Sequence, residues 1–265
     1  MGALGVAVMG APLWGDDNVM QYLATLSPML LNKFNEPSGN LQNYGSEGAL
    51  AVGTVSGCTY AQAGQLGASE AYLFDGADDY VSIANAVIPN VKALTTQRWC
   101  WLINASSLGE SDFGTIAAWG AGTPTGQLFL RFNVGNSLVA YIDTDGTDPV
   151  AVTNDNQVDF LATWALLFLD YDNADALGLG RRIRLFRATA ASATTLLTLF
   201  TNTAGTGTIV AHSNALLWGN RSGTDTSFAG LMDMAFVGAG LWTPATLPTD
   251  LTVMNRIRSL VFKVP

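Results

Sequence analysis

The 265-residue chain is expected to be all-β, an antiparallel β-sandwich with a short N-terminal arm or helix. Two observations carry this expectation. Apolar residues recur with a period of two in short runs, and clusters of Gly, Pro, Asp and Asn separate those runs, which is the rhythm of strands and tight turns. Ala71 to Ile83, AYLFDGADDYVSI, shows both. Tyr72 and Phe74 alternate with Ala71 and Leu73, Val81 and Ile83 alternate with Tyr80 and Ser82, and Asp75, Gly76, Asp78 and Asp79 fill the turn between them. Gly76 tolerates backbone angles that a Cβ disfavours, and Asp75 and Asp78 are suited to accept hydrogen bonds from nearby amides. The turn itself is expected to face water.

From the N-terminus, Met1 to Gly15 is apolar and reads either as a flexible arm that orders against a neighbour or as a first strand or frayed terminus. Asp16 or Asp17 is placed to cap a short helix through Val19, Met20 and Leu23, which Pro28 ends or kinks. The arm is assigned to residues 1–21 and the sandwich to 22–265. Strands are expected at Met29–Phe34, Ala71–Phe74, Tyr80–Ile83, Arg98–Asn104, Phe113–Trp119, Gln127–Asn133 and Ser137–Ile142. A second set covers Trp164–Tyr171, Arg182–Phe186, Ala193–Phe200, Ala215–Trp218 and Gly230–Val237. Turn signals such as Gly122-Thr123-Pro124 and Asp145-Gly146 divide them. Trp164 to Leu169 is apolar on both faces, so that strand must be central or covered by a partner. Thr201 to Thr208, TNTAGTGT, looks the most flexible. Leu251, Met254 and Ile257, at helical spacing after Thr249, predict a short closing helix. The two cysteines permit one bridge but are expected to be free; Cys100, between Trp99 and Trp101, should face away from both.

The segment FDGADDYVSI closely resembles the FDG-x-DDYV stretch of laminin G-like domains in the concanavalin A-like jelly-roll superfamily. Other blocks follow in the order of that family. Tyr22 to Gly39 resembles its opening segment, TWALLFLDY and RIRLFRA its Trp-led strand and the next, and Leu216 to Val237 its F-x-G strand pair. Pro244 to Ile257 is similar to the closing segment. The resemblance implies a jelly-roll body and a structural calcium ion held by Asp233 with oxygens near Glu36 and Gly39. This chain departs from the pattern in two places: the turn after Ser38-Gly39 lacks the usual Asp, and the family's Asp-Glu pair is Asp233-Met234. The other reading of Asp233, which shares a strand face with Leu231, Ala235 and Val237, is a carboxylate bonded to backbone amides or to an arginine. Asp75, Asp78 and Asp79 are read as a solvated turn.

Apolar residues make up 49% of the chain and charged residues only 12%, about half the ~25% of ordinary soluble domains. Either neighbours cover much of the surface or uncharged Thr, Ser, Asn and Gly solubilise it, as in Thr189 to Asn214. The net charge of −9 opposes attraction to nucleic acid or anionic membranes. Arg181, Arg182, Arg184 and Arg187 interleave with Ile183 and Leu185, so Arg182 and Arg184 should point away from those two on a solvated or interface-facing strand. No uncharged apolar run reaches the ~20 residues of a spanning helix, so no membrane insertion is expected. The first basic residue is Lys33, unlike the charged start of a secretory signal, so the chain is expected to be made in a host cytoplasm without export by that route and to reside on a virion surface.

Catalysis is disfavoured by the supply of residues. Glycoside hydrolysis needs two carboxyl groups flanking the scissile bond, and the four glutamates, Glu36, Glu47, Glu70 and Glu110, include no closely spaced pair. His212 is the only histidine and no G-x-S-x-G turn presents a nucleophile; it reads as a surface or hydrogen-bonded loop residue. Zinc lacks His and Cys ligands, which leaves oxygen-ligated calcium as the one plausible ion.

The expected function is therefore non-enzymatic: a structural protein of a bacteriophage virion surface, as capsid decoration or tail component, acting through contacts with other virion proteins and with copies of itself. The alternative is a lectin-like module that binds a host or environmental glycan, with Trp119, Tyr141, Trp218 and Trp242 as candidate sugar platforms, although aromatics in sandwiches more often fill the core.

Overall fold

The computed structural model describes residues 18–66, 70–120, 126–154, 161–175, 178, 180–221, 226–243 and 250–264. Helix α1 (Asn18–Thr25) leads into β1 (Leu30–Lys33), β2 (Gly53–Ser56), β3 (Thr59–Ala63), β4 (Glu70–Asp75) and β5 (Tyr80–Ile83). The single turn α2 (Pro89–Lys92) precedes β6 (Thr96–Ala105), β7 (Thr115–Gly120), β8 (Gly126–Asn133), β9 (Ser137–Tyr141) and β10 (Val150–Thr153). There follow β11 (Ala165–Asp172), β12 (Arg184–Thr189), β13 (Thr195–Leu196), β14 (Leu199–Thr203), β15 (Leu216–Trp218), β16 (Ala229–Ala239) and α3 (Thr252–Phe262).

The strands form two antiparallel eight-stranded sheets. The first runs β13-β12-β11-β6-β16-β4-β3, with β1 also paired to β16; the second runs β14-β10-β9-β8-β7-β15-β5-β2. This is the antiparallel sandwich that the alternation predicts, in the jelly-roll form that the family resemblance implies. Between the sheets lies the main core, where Trp99 and Trp101 stack at 5.9 Å and Trp218 meets both edge-on at 6.1 and 6.4 Å. Offset and edge-on arrangements suit the ring quadrupoles and seal the sandwich with large buried area. Cys100 faces the opposite side of the first sheet from these tryptophans, and both cysteines are free and buried.

The outer face of the first sheet is covered by the chain's own helices. Val19, Met20 and Leu23 of α1 and Met254, Ile257 and Val261 of α3 pack with Leu102, Leu166, Phe168 and Phe236 in a second core. Polar contacts fasten the cover: Arg258 Nε donates to the Thr189 carbonyl at 2.9 Å, Trp242 Nε1 to the Trp99 carbonyl at 2.9 Å, and Arg98 to the Leu26 carbonyl. This accounts for the doubly apolar β11, which is central between β6 and β12 and buried on both faces without any second molecule. Residues 18–21, assigned to the arm, belong to α1 and pack on the body. Asp16 and Asp17, the turn at Gly122 to Pro124 and the segment Pro244 to Thr249 lie outside the described residues.

Several local expectations are corrected. Strands β2, β3 and β10 were not anticipated, and β3 is exposed or half-buried along its length, so it carries no apolar face to betray it. The expected strand Ala193–Phe200 is two short strands, and the flexible-looking Thr201 to Thr208 begins inside β14. Asp79 is buried rather than solvated: its Oδ2 accepts from the Asp75 amide at 2.7 Å, while Asp75 Oδ1 accepts from the Ala77 amide at 2.8 Å.

Candidate functional site

Three loops from distant parts of the sequence meet at one end of the sandwich. They are the β9–β10 connection (142–149), the β11–β12 connection (173–183) and the segment after β14 (204–214). The first two are stiffened by their own short polar side chains. Asp172 Oδ1 accepts from the Ala174 amide at 2.9 Å, and Asp175 Oδ1 from the Gly180 amide at 2.7 Å, which close the second loop through left-handed positions at Asp175, Gly178, Gly180 and Arg181. Asp148 takes the Tyr141 hydroxyl at 2.6 Å and the Thr144 amide at 2.8 Å.

Cross-links then join the loops. Asp145 accepts from the Thr208 amide at 2.7 Å and its hydroxyl at 2.8 Å, and Thr206 Oγ1 accepts from the Thr147 amide at 2.7 Å. The Gly207 carbonyl receives both Asn173 Nδ2 and Arg181 Nη1 at 3.1 Å, and the Gly205 amide donates to the Arg181 carbonyl at 2.9 Å. Gly207 has φ 80°, and a Cβ there would collide with the Asp145 carboxylate, so glycine is required for this junction. His212 Nε2 lies 2.7 Å from Asp143 Oδ2, a hydrogen-bonded loop histidine as the sequence suggests.

Beside this junction lies a shallow surface cleft with little enclosed space, lined by Asp170, Asp172, Asp175, Arg181, Arg182, Arg184 and Leu241. Its floor is the buried pair Arg184 Nη2 to Asp170 Oδ2 at 2.7 Å, in register across β12 and β11. Arg184 also reaches Thr243 Oγ1 at 2.9 Å, and the Trp242 amide donates to Asp170 Oδ1 at 2.8 Å. Burial raises the Asp170 carboxyl to about 7 in spite of Arg184, and the same burial lowers Arg184. The walls, Arg181, Asp175 and exposed Arg182, reach solvent, and Arg182 Nη1 donates to the Asn202 carbonyl of β14. Guanidinium forks and carboxylates on one wall offer paired donors and acceptors to a ligand rich in hydroxyls.

The sequence places Arg184 facing away from Ile183 and Leu185, which holds, but it is buried against Asp170 and not solvated. The cleft carboxylates were overlooked. A signal existed: six of the fifteen residues from 170 to 184 are charged, against 12% of the whole chain.

The residues assigned to calcium are held by protein donors. Asp233 is the extra residue in a bulge of β16, where the strand changes partners from β4 to β1. Its Oδ2 accepts from the amides of Gln65 at 2.6 Å and Leu66 at 3.0 Å. Glu36 accepts from the Gln42 amide at 2.9 Å and the Tyr72 hydroxyl at 3.0 Å, and burial raises its carboxyl above the ordinary range. The Gly39 carbonyl accepts from the Tyr60 hydroxyl at 2.8 Å. Glu36 and Gly39 thus share the Tyr60–Tyr72 corner, whereas the Asp233 carboxylate serves the chain after β3. These hydrogen bonds take up part of the acceptor capacity that calcium, with its six to eight oxygen ligands, would draw on. Among the described residues the one compact acidic group is Asp75, Asp78 and Asp79.

The candidate sugar platforms Trp119, Tyr141, Trp218 and Trp242 are all buried in the cores. Of the glutamates, Glu47 accepts from the Val91 amide at 2.8 Å and Glu110 from the Ser227 amide at 3.4 Å, so both serve the scaffold.

The sequence matches no protein-family model and no curated protein. Solved structures share the fold. Domain 4 of AbnA, a GH43 extracellular arabinanase from Geobacillus stearothermophilus, in complex with arabinotriose, is similar over 89% of this chain and 98% of that one, with TM-score 0.56 and 12% identity. A Trypanosoma rangeli sialidase is similar over 90% of this chain and 33% of its own, with TM-score 0.59 and 9% identity. The binding domain of botulinum neurotoxin serotype G is similar over 89% and 51%, with TM-score 0.53 and 12% identity. The chain is an antiparallel jelly-roll sandwich.

Proposed function

We propose that this protein is a non-catalytic carbohydrate-recognition module that reads a neutral glycan at the loop end of its sandwich. The observation that carries the reading is the cleft in which solvent-reaching Arg181, Arg182 and Asp175 stand over the fixed Asp170–Arg184 floor. Sugar hydroxyls each donate and accept, and adjacent pairs of them match guanidinium and carboxylate groups. Three aspartates against three arginines leave the lining balanced, and a chain of net charge −9 does not favour an acidic sugar. Non-catalytic action is supported by the engagement of the nearby carboxylates: Asp170, Asp172 and Asp175 each accept from backbone amides that shape the site. The arabinanase domain of the same fold, in complex with arabinotriose, supports the ligand class. Binding is calcium-independent in this account. A glycan microarray with purified protein, run with calcium and with EDTA, tests it: equal binding in both is expected, and no binding by the folded protein rejects the reading.

A second reading, a structural protein on a bacteriophage virion that meets other virion proteins or its own copies, is favoured by the charged fraction of 12% and by exposed Phe200 and Leu196 on neighbouring edge strands. Co-purification of the chain with intact particles is its test.

A further inference from the structure

We propose that the side of the sandwich formed by β13 and β14 is a two-fold contact surface for a second copy of this chain, with Leu196 and Phe200 at its centre. The inference stands apart from the glycan reading and makes no use of the cleft.

The two strands follow one another in sequence yet end different sheets: β13 is the last strand of the first sheet and β14 of the second. Along the side they form, Thr195, Leu196, Thr198 and Phe200 are all exposed. Leu196, at 56%, and Phe200, at 82%, bring two of the exposed large apolar side chains within five residues of each other. The pairing of β14 with β10 slips between Val152 and Thr153, whose partners are Thr201 and Leu199, so Phe200 has no residue opposite it. Leu196 adds open backbone. The Leu197 amide donates to the Leu185 carbonyl at 2.9 Å, and bonded and non-bonded pairs alternate along an antiparallel ladder, so the neighbouring Leu196–Phe186 pair is a non-bonded one. The N–H and C=O of Leu196 therefore point away from β12, toward the open edge.

Edge strands are ordinarily guarded against such contacts by charged side chains or proline. This side has neither: Ala188 to Asn220 contains no Asp, Glu, Lys, Arg or Pro, and these 33 residues are the longest charge-free run in the chain. The charge pattern also selects the partner. Each copy carries a net charge of −9, so two copies repel where their acidic surfaces meet, and the β13–β14 side is where they can approach without that cost. A strongly charged partner gains no attraction there. What fits is a surface equally uncharged and apolar, which this side itself supplies, and a surface that matches itself closes into a two-fold pair. The opposite side, β2 and β3, lies in the next longest charge-free run, Gly48 to Ser69, but it is less open. Leu41 exchanges both backbone hydrogen bonds with Gly53 of β2 at 2.8 Å, and neither strand exposes a large apolar side chain. A filament growing from one side to the other is therefore disfavoured against a closed dimer.

The test is sedimentation velocity of the full chain across micromolar concentrations. It compares wild type with two double variants, Leu196→Lys with Phe200→Lys and Leu196→Glu with Phe200→Glu, and thermal melts confirm that both fold. Wild type is expected to form a dimer that dissociates on dilution. Each double variant alone should dimerise roughly thirtyfold more weakly or worse, the scale of losing a central contact. An equal mixture of the two should restore the dimer, because a two-fold contact sets the lysine-bearing face against the glutamate-bearing one. Hydrogen exchange of wild type decides the matter if a variant does not fold: amides of residues 194–200 should be more protected in concentrated than in dilute solution. A wild type that stays monomeric up to its solubility limit, a dimer that both double variants leave intact, or a mixture that remains monomeric overturns the proposal. Growth of wild type beyond the dimer overturns the two-fold closure, and amides 194–200 that exchange alike at both concentrations overturn the surface.

Discussion

Asp170 and Arg184 show how the floor of the cleft depends on a single pair. Either partner alone is a buried charge without compensation, so Asp170→Ala and Arg184→Ala are each expected to lower stability by about 3–5 kcal/mol, read by urea denaturation. Joint replacement by Leu and Met should cost less than either, because no charge is left behind. The pair also sets a pH dependence. Burial lifts the folded Asp170 carboxyl to about 7, well above its unfolded value of ~3.9. Between the two the folded chain keeps a proton that the unfolded chain has released, so this group's contribution is complete below the lower value and is lost as pH rises through about 7. Asp170→Asn removes that slope, which denaturation of both proteins at ~pH 5 and ~pH 8 measures. At the cysteines, burial raises both thiols, so Cys58 and Cys100 should resist iodoacetamide until the chain unfolds, as mass spectrometry would show. The sequence makes the orientation of Arg184 legible through its alternation with Ile183 and Leu185. Its burial is not legible, because the partner lies fourteen positions away and the strand register that aligns them is not written locally.

Among the elements, β16 joins the halves of its sheet, and Asp233 holds the place where its partner changes. Asp233→Ala orphans the amides of Gln65 and Leu66 and is expected to destabilise by about 2–4 kcal/mol, on the scale of two lost hydrogen bonds to a carboxylate. Neither calcium nor EDTA should shift the melting temperature, since the Asp233, Glu36 and Gly39 oxygens already have protein donors; a clear rise with calcium would contradict this assignment. Helix α3 is the cover of the first sheet, and Ile257→Ala, at its buried face, should cost about 2–5 kcal/mol in the same assay. The strands that alternate cleanly, β4, β5, β8 and β9, are legible in the sequence. Strand β3 has no buried face, β2 buries only Gly53, and in β10 the buried Ala151 and the half-buried Val150 and Val152 are all apolar, so no period stands out.

At the scale of the whole molecule, the low charge and high apolar content are explained largely inside one chain. Two helices cover one sheet, so apolar residues that suggested a partner surface are core. What remains exposed among the described large apolar side chains is Tyr44, Leu50, Val134, Leu161, Leu196 and Phe200, of which the last two share a side of the sandwich as members of edge strands. The candidate site is the least legible feature, because its three loops are separated by about twenty residues or more and only the fold brings them together. The central claim is that a sugar meets this protein at that loop end. The most direct measurement is a two-dimensional amide NMR titration of the isotope-labelled chain with the trisaccharide it binds best. The account predicts shifts concentrated in residues 173–183 and in the adjoining 204–208 segment; shifts confined to the opposite end, or none at saturating sugar, would contradict it.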